Sequence, residues 1–176
     1  TPNIVFVLRQ YYYYNLKQRM YMLPYLTYTE KLWIIFQLLF AVCELHERGI
    51  IHGDIKVENI MLTSNGSLFL TDIASSKSAY IPIDNSTVYT YYFGSTNQSV
   101  KTCNIAPERF IEKNALSTSD TTTNTVNSSK TVKMDVFSLG CVIAELLLEE
   151  YLFDYTKLLE YKNGKVDITP TLSKIN

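Results

Sequence analysis

His52-Gly53-Asp54-Ile55-Lys56-Val57-Glu58-Asn59 puts three polar side chains, Asp54, Lys56 and Asn59, within six residues, directly ahead of the apolar run Ile60-Met61-Leu62. A second apolar run, Leu68 to Leu70, follows Asn65-Gly66, and Asn-Gly between two such runs is a strong short-range hairpin signal. A two-residue turn at Asn65-Gly66 pairs Ser64 with Ser67. Counting back, Ile60 then faces Thr71 and Asn59 faces Asp72. Facing residues of an antiparallel pair have Cα atoms ~4.5–5.5 Å apart. Turn chemistry alone therefore brings a carboxamide oxygen and a carboxylate to the open end of one hairpin. Both are hard oxygen donors, suited to Mg²⁺ that keeps water and phosphate oxygens in its other positions. Asp54, on the loop entering the hairpin, can orient or deprotonate an attacking hydroxyl. Lys56 adds a positive charge for a transferred phosphate. A placed nucleophile, metal-bridged phosphates and a cation on the moving charge are what phosphoryl transfer requires. The competing reading of the stretch is an ordinary charged turn.

Upstream, residues 4–8 are apolar and rich in β-branched and aromatic side chains, which reads as a buried strand. The tyrosine run Tyr11 to Tyr14 has no interleaved basic residues, so it reads as half-buried packing in a linker and not as a base-stacking platform. The spacing predicts a core helix from about Lys31 to Arg48, apolar almost all round as far as Cys43, with Gly49 in the C-terminal capping role. Downstream, residues 74–105 show no sustained period and read as a long ordered loop. Residues 117–131 are almost all Ser, Thr and Asn with a few charges, and read as a disordered insert, tolerated within the domain. Asp135 to Glu150 is apolar at helical spacing through Val136, Leu139, Val142, Ile143, Leu146 and Leu147, a second core helix that Asp135 should cap.

The chain has 176 residues, 47% of them hydrophobic, and 16 Lys+Arg against 17 Asp+Glu for a net charge of −1. That balance lacks the basic footprint of a general nucleic-acid binder. The longest apolar run, Leu32 to Cys43, is too short to cross a bilayer and contains Gln37. The three cysteines, Cys43, Cys103 and Cys141, are widely spaced, which favours reduced thiols over a disulfide framework. A zinc site from Cys43, His46 and His52 would want a fourth ligand, and no Cys-x-x-Cys pair supports it. His46 reads as a surface cation at a helix end, and His52 as a loop-holding hydrogen bonder. Cys103 has no neighbouring cations to activate it.

At this point the chain resembles the protein kinases. Residues 52–59 match the catalytic-loop pattern His-Arg-Asp-x-x-x-x-Asn except at Gly53. Asp72-Ile73-Ala74 stands where kinases carry Asp-Phe-Gly, Ala106-Pro107-Glu108 matches the end of the activation segment, and Asp135-x-x-Ser138-x-Gly140 looks like the start of the buried helix that anchors the catalytic loop. Within that family, His52-Gly53-Asp54, Thr71-Asp72-Ile73-Ala74-Ser75, Thr102 to Phe110, Leu152-Phe153-Asp154, Tyr161 to Gly164 and Leu8 to Tyr11 are similar to the regulatory kinase subunits of class III phosphatidylinositol 3-kinase complexes, large vacuolar protein sorting kinases. The resemblance runs from about Val5 to Gly164, apart from the insert. It implies an α+β, protein-kinase-like fold, mainly the helical C-lobe, with residues 1–176 a partial kinase domain lacking most of the N-lobe and the C-terminal helices.

Carried over residue by residue, Asp54 matches the catalytic base and Lys56 the phosphate-contacting lysine. Asn59 and Asp72 match the metal ligands, and Lys56, Asn59 and Asp72 together the residues that meet ATP and Mg²⁺. Residues 72–108 match the activation segment, and Val7 to Gln10 would approach the hinge where adenine binds. The resemblance further implies transfer of the ATP γ-phosphoryl group to Ser/Thr hydroxyls. The implied partners are the lipid kinase catalytic subunit and its autophagy and sorting subunits, and the implied location is the cytoplasm, peripherally on endosomal, vacuolar or Golgi membranes through the full-length complex. The competing class is a pseudokinase-like nucleotide-binding scaffold for the lipid kinase. Gly53 replaces the arginine that in many kinases meets an activation-segment phosphate, so activity independent of such phosphorylation is expected. Ile73 and Ala74 replace phenylalanine and glycine, which hints at a fixed site. No Gly-x-Gly-x-x-Gly loop or Val-Ala-Ile-Lys strand is present, so this chain alone is expected to be inactive and marginally stable, with Glu108 lacking the arginine it pairs with in kinases.

Overall fold

The computed structural model describes residue 8 and residues 10–74, 77–93, 102–112 and 131–175. The expected strand at 4–8, apart from Leu8, and the expected insert at 117–131, apart from Thr131, lie outside the described residues, as do Val7 and Arg9 of the hinge stretch Val7 to Gln10. The elements run β1 (Tyr14–Asn15), α1 (Leu16–Met20), α2 (Tyr28–Glu47), a 3-10 turn (Val57–Asn59), β2 (Ile60–Leu62), β3 (Leu68–Leu70), β4 (Ile81–Pro82), α3 (Ser86–Phe93), a second 3-10 turn (Pro107–Arg109), β5 (Phe110–Ile111), α4 (Val132–Leu148), α5 (Tyr155–Lys162) and α6 (Thr169–Leu172). β1, β2 and β3 form an antiparallel sheet in that order, and β4 pairs with β5 in parallel. This is a mainly helical α+β arrangement with small sheets, as the kinase-like reading implies.

Two apolar cores share one helix. Leu139, Val142 and Leu146 of α4 join Leu16, Ile34, Leu38, Val42, Ile55, Val57, Ile60 and Leu62 in the first. Cys141 and Ala144 of the same helix join Ile81, Tyr89, Phe93, Ile105, Phe110, Phe153 and Leu158 in the second. Steps of three and four residues keep each set on its own face of α4, so the helix is buried on two sides. Val136, expected in the core, is 55% exposed because it falls between these faces.

α2 begins three residues earlier than expected. Thr27 caps it in a box with Glu30, the Glu30 amide donating to Thr27 Oγ1 and the Thr27 amide to Glu30 Oε2. It ends in a Schellman closure, Gly49 N–H donating to His46 O and Ile50 N–H to Leu45 O. The all-round burial expected of it is not found. Ile34, Leu38 and Val42 are buried, whereas Trp33 and Phe36, stacked ring on ring, and Phe40 are more than half exposed. Only the stripe that meets α4 and the hairpin is covered. Gln37, the polar break in its apolar run, bridges to the hairpin: its Nε2 donates to Gly66 O and its Oε1 accepts from Leu68 N–H.

The hairpin differs from expectation by one residue. Ile60 pairs with Leu70, Met61 with Phe69 and Leu62 with Leu68. Thr63 closes a three-residue loop, its amide donating to Ser67 O and its carbonyl accepting from Gly66 N–H. The Thr63 hydroxyl also accepts from Ser67 N–H and donates to Asn65 Oδ1. Gly66, at φ +79, takes the left-handed position such a loop requires. Asn59 therefore stands opposite Thr71, and Asp72 is the next residue along. Among the described residues two short elements, β4 and α3, break the stretch read as loop. The tyrosine run is more exposed than expected, Tyr11 and Tyr13 above 70%, with Tyr12 stacked on Phe69 and Tyr14 entering β1.

Candidate active site

After α2 closes, the chain is gripped at two consecutive amides. His52 N–H and Gly53 N–H donate to the two carboxylate oxygens of Asp135, at 2.8 and 2.7 Å. Asp135 is 1% exposed and lies within the first turns of α4, so it anchors the loop without capping the helix; Thr131 holds the cap position. Its Oδ2 also meets His46 Nε2 at 3.0 Å, so His46, half-buried, is a partner of the anchor and not the free surface cation expected. Gly53 has φ +75, a conformation costly for other residues. The His52 ring is fully buried: Nδ1 accepts from Asp54 N–H and Nε2 donates to Thr71 O, which ties the loop to the end of β3. Burial, opposed by the Asp135 charge, lowers the His52 pKa, consistent with that neutral tautomer. With both imidazoles so engaged, the zinc reading has no support. Among the described residues no group of three His, Cys, Asp or Glu side chains could hold a metal.

Extended backbone then sorts the loop by alternation. Ile55 and Val57 enter the first core, while Asp54 and Lys56 turn the other way. Asp54, 3% exposed, gathers three groups at Oδ2: Lys77 Nζ at 2.5 Å, Asn59 Nδ2 at 3.2 Å and Lys56 Nζ at 3.4 Å. Asn59 Nδ2 also donates to Asp54 O at 2.8 Å, and Lys56 Nζ to Phe93 O at 3.4 Å. Three of the four candidate residues thus interlock. The fourth, Asp72, is exposed at φ +62, one residue beyond Thr71, whose amide donates to Asn59 O at 2.9 Å. Because Asn59 spends its NH₂ on Asp54, its carbonyl oxygen is the face it can offer a cation. One amide oxygen and the nearby Asp72 carboxylate fit Mg²⁺, which takes one or two protein oxygens and keeps water and phosphate for the rest.

Sequence reasoning missed two residues. Lys77 looks like a surface lysine in the sequence. Arg109, charged within the largely apolar stretch Ile105 to Ile111, carried a signal in that very contrast; it is 1% exposed and bonded to three carbonyls. Cys103 is also fully buried, and burial pushes its thiol up to about 11, so it is inert as expected. Glu108 is exposed and makes no ion pair among the described residues. A groove of about 760 Å³ lies apart from Asp54, lined by Tyr12, Met22, Trp33, Leu62 and Gly66 among others, and contains none of the four candidates.

Comparison with known proteins bears on this geometry. The protein kinase domain family matches residues 21–175. The serine/threonine-protein kinase VPS15 of Arabidopsis thaliana is 42% identical over 176 residues, 99% of this chain and 11% of the relative. VPS15 of Saccharomyces cerevisiae is 41% identical over 170 residues, 96% of this chain and 11% of the relative. A non-specific serine/threonine protein kinase of Candida glabrata is 40% identical over 175 residues, 96% of this chain and 12% of the relative. The chain thus spans about a tenth of the length of these curated relatives. With the four motifs in order along one folded frame and a family match over nearly nine-tenths of its length, the chain belongs to the protein kinase domain family.

Proposed function

We propose that this chain is the catalytic-loop part of a serine/threonine protein kinase that transfers the ATP γ-phosphoryl group, within a regulatory subunit of a phosphatidylinositol 3-kinase complex in autophagy and endosomal or vacuolar sorting. The observation that carries the reading is the Asp54–Lys56–Asn59 lock at the open end of the hairpin. In the proposed reaction a substrate hydroxyl oxygen bonds to the γ-phosphorus, the bond from that phosphorus to the bridging oxygen breaks, and the hydroxyl proton passes to Asp54. Asn59 fixes the Asp54 carboxylate from one side, and Lys56 offers its ammonium to charge gathering on the phosphoryl oxygens. Asn59 and Asp72 would hold Mg²⁺, which when bound neutralises phosphate charge. The domain assignment goes with this reading: residues 1–176 as part of a kinase domain, with 117–131 a tolerated insert. So does its placement beside the lipid kinase catalytic subunit on endosomal, vacuolar or Golgi membranes, which rests on the similarity to vacuolar protein sorting kinases. No helix among the described residues is long and apolar enough to cross a membrane.

A second reading, a nucleotide-binding scaffold, is favoured by one feature: the carboxylate of Asp54 is already shared among two lysines and an amide. The deciding experiment is phosphoryl transfer from labelled ATP by the full-length parent protein, alone and in complex, beside Asp72→Ala. Transfer that falls by at least ~100-fold in the variant is expected of the enzyme. No transfer from either protein, with the complex still assembled, would leave the scaffold.

A further inference from the structure

Arg109 is a buried charge with an unusual set of partners. Its side chain donates to Gly53 O from Nη1 at 2.7 Å, to Ala79 O from Nε at 2.9 Å and to Ser78 O from Nη2 at 2.7 Å. The guanidinium carbon lies 4.8 Å from the centre of the Phe93 ring. Among the described residues no carboxylate is a hydrogen-bond partner of Arg109. A guanidinium costs much to bury, and here planar, fork-like donation to three main-chain carbonyls and an aromatic face offset that cost.

The identity of those carbonyls matters. Gly53 O belongs to the peptide bond that leads into Asp54, and the N–H of Gly53 itself donates to Asp135 Oδ1. Gly53 is therefore clamped at both its amide and its carbonyl, and the Asp54 backbone starts from a fixed plane. Ser78 O and Ala79 O follow directly after Lys77, whose Nζ stands 2.5 Å from Asp54 Oδ2 and 5.0 Å from the centre of the same Phe93 ring. One side chain thus fixes the main chain beside both members of the Asp54–Lys77 pair, across 56 residues on one side and about 30 on the other. At Gly53 itself there is no side chain that could do this.

We propose that Arg109 is a positioning residue for Asp54, holding the catalytic loop and the following segment in register through Gly53, Ser78 and Ala79. The inference rests on the kinase reading for its catalytic consequence, but not for the clamp itself. Arg109→Lys keeps the charge and loses the fork, so it can satisfy only part of the set.

The test uses the full-length parent protein. Hydrogen exchange of peptides covering 53–56 and 77–80 is measured in wild type and Arg109→Lys, together with kcat and KM for transfer from labelled ATP. Loss of charge-assisted bonds at a buried site should speed exchange in both stretches by ~10-fold or more, with kcat falling by ~10-fold and KM for ATP little changed. Exchange unchanged in both stretches, or raised evenly over the whole domain, would overturn the proposal in favour of plain packing. Local exchange that rises while wild type transfers no label would support the clamp and remove the kinase reading. If Arg109→Lys does not accumulate folded, Phe93→Leu, which withdraws the ring from the guanidinium, is read by the same exchange criteria.

Discussion

Glu145 lies in the last turn of α4, 5% exposed, with one carboxylate oxygen lacking a hydrogen-bond partner among the described residues. Burial first, and the Glu58 carboxylate second, push its pKa up to about 7 against the opposing pull of Lys17 and Asn104. A folded pKa above the unfolded one means that the folded state holds the proton more tightly. The side chain is tolerated well below about pH 4.5, and stability is lost as pH rises towards and through 7. Glu145→Gln should therefore change little at pH 4.5 and stabilise at pH 8 by about 1–3 kcal/mol, measured by urea unfolding of the parent's kinase domain. An equal effect at both pH values would mean that the substitution acts by packing. Asp54 is a different kind of buried carboxylate, because Lys56, Lys77 and Asn59 share its charge. The Asp54–Asn59 half of that arrangement could be read from spacing alone, five residues apart on one turn. Lys77 and Arg109 could not, since they reach the loop across 23 and 56 residues and nothing local marks their destination.

At the scale of elements, α4 is the pillar on which the loop hangs. Asp135 offers both oxygens to consecutive amides, and Asp135→Asn leaves a single acceptor and no charge. The expected cost is about 2–4 kcal/mol, with faster amide exchange at His52 and Gly53, checked by urea unfolding and hydrogen exchange. Unfolding midpoints equal within error would sink the anchoring account. The two long helices were legible because their apolar residues recur at helical spacing. Their burial was less so: α2 is apolar on faces that α4 and the hairpin do not reach. α3 escaped notice for a different reason. Ser86-Thr87-Val88-Tyr89-Thr90-Tyr91-Tyr92-Phe93 is made of β-branched and aromatic residues that lean towards strand. Packing of Tyr89 and Phe93, four residues apart and both buried, overrides that preference. The hairpin was placed correctly, but its register turned on the Thr63 hydroxyl bonding to Ser67 N–H, which lengthens the loop by one residue. That one residue sets Asp72 beyond Asn59 instead of across from it.

For the molecule as a whole, the contacts around Gly53 bear on regulation. Gly53 brings no cation to the segment, and the Arg109 cation is 1% exposed and spent on carbonyls. Neither is available to a phosphate, so phosphatase treatment of the parent protein should leave its transfer rate within ~2-fold. Loss of activity on dephosphorylation would count against a built-in clamp. The fold class followed from motifs that each sit on a local element, whereas the division into two cores on either side of α4 emerges only when distant segments pack. The half-wet face of α2 has a practical consequence for anyone following unfolding by light. Trp33 is the chain's single tryptophan, and the residue is 55% exposed while its ring stacks on Phe36. An indole already in water has little further to move in emission wavelength when the chain unravels. Tryptophan fluorescence will therefore under-report denaturation here, and far-ultraviolet circular dichroism, which reads α2 and α4 directly, is the signal to follow.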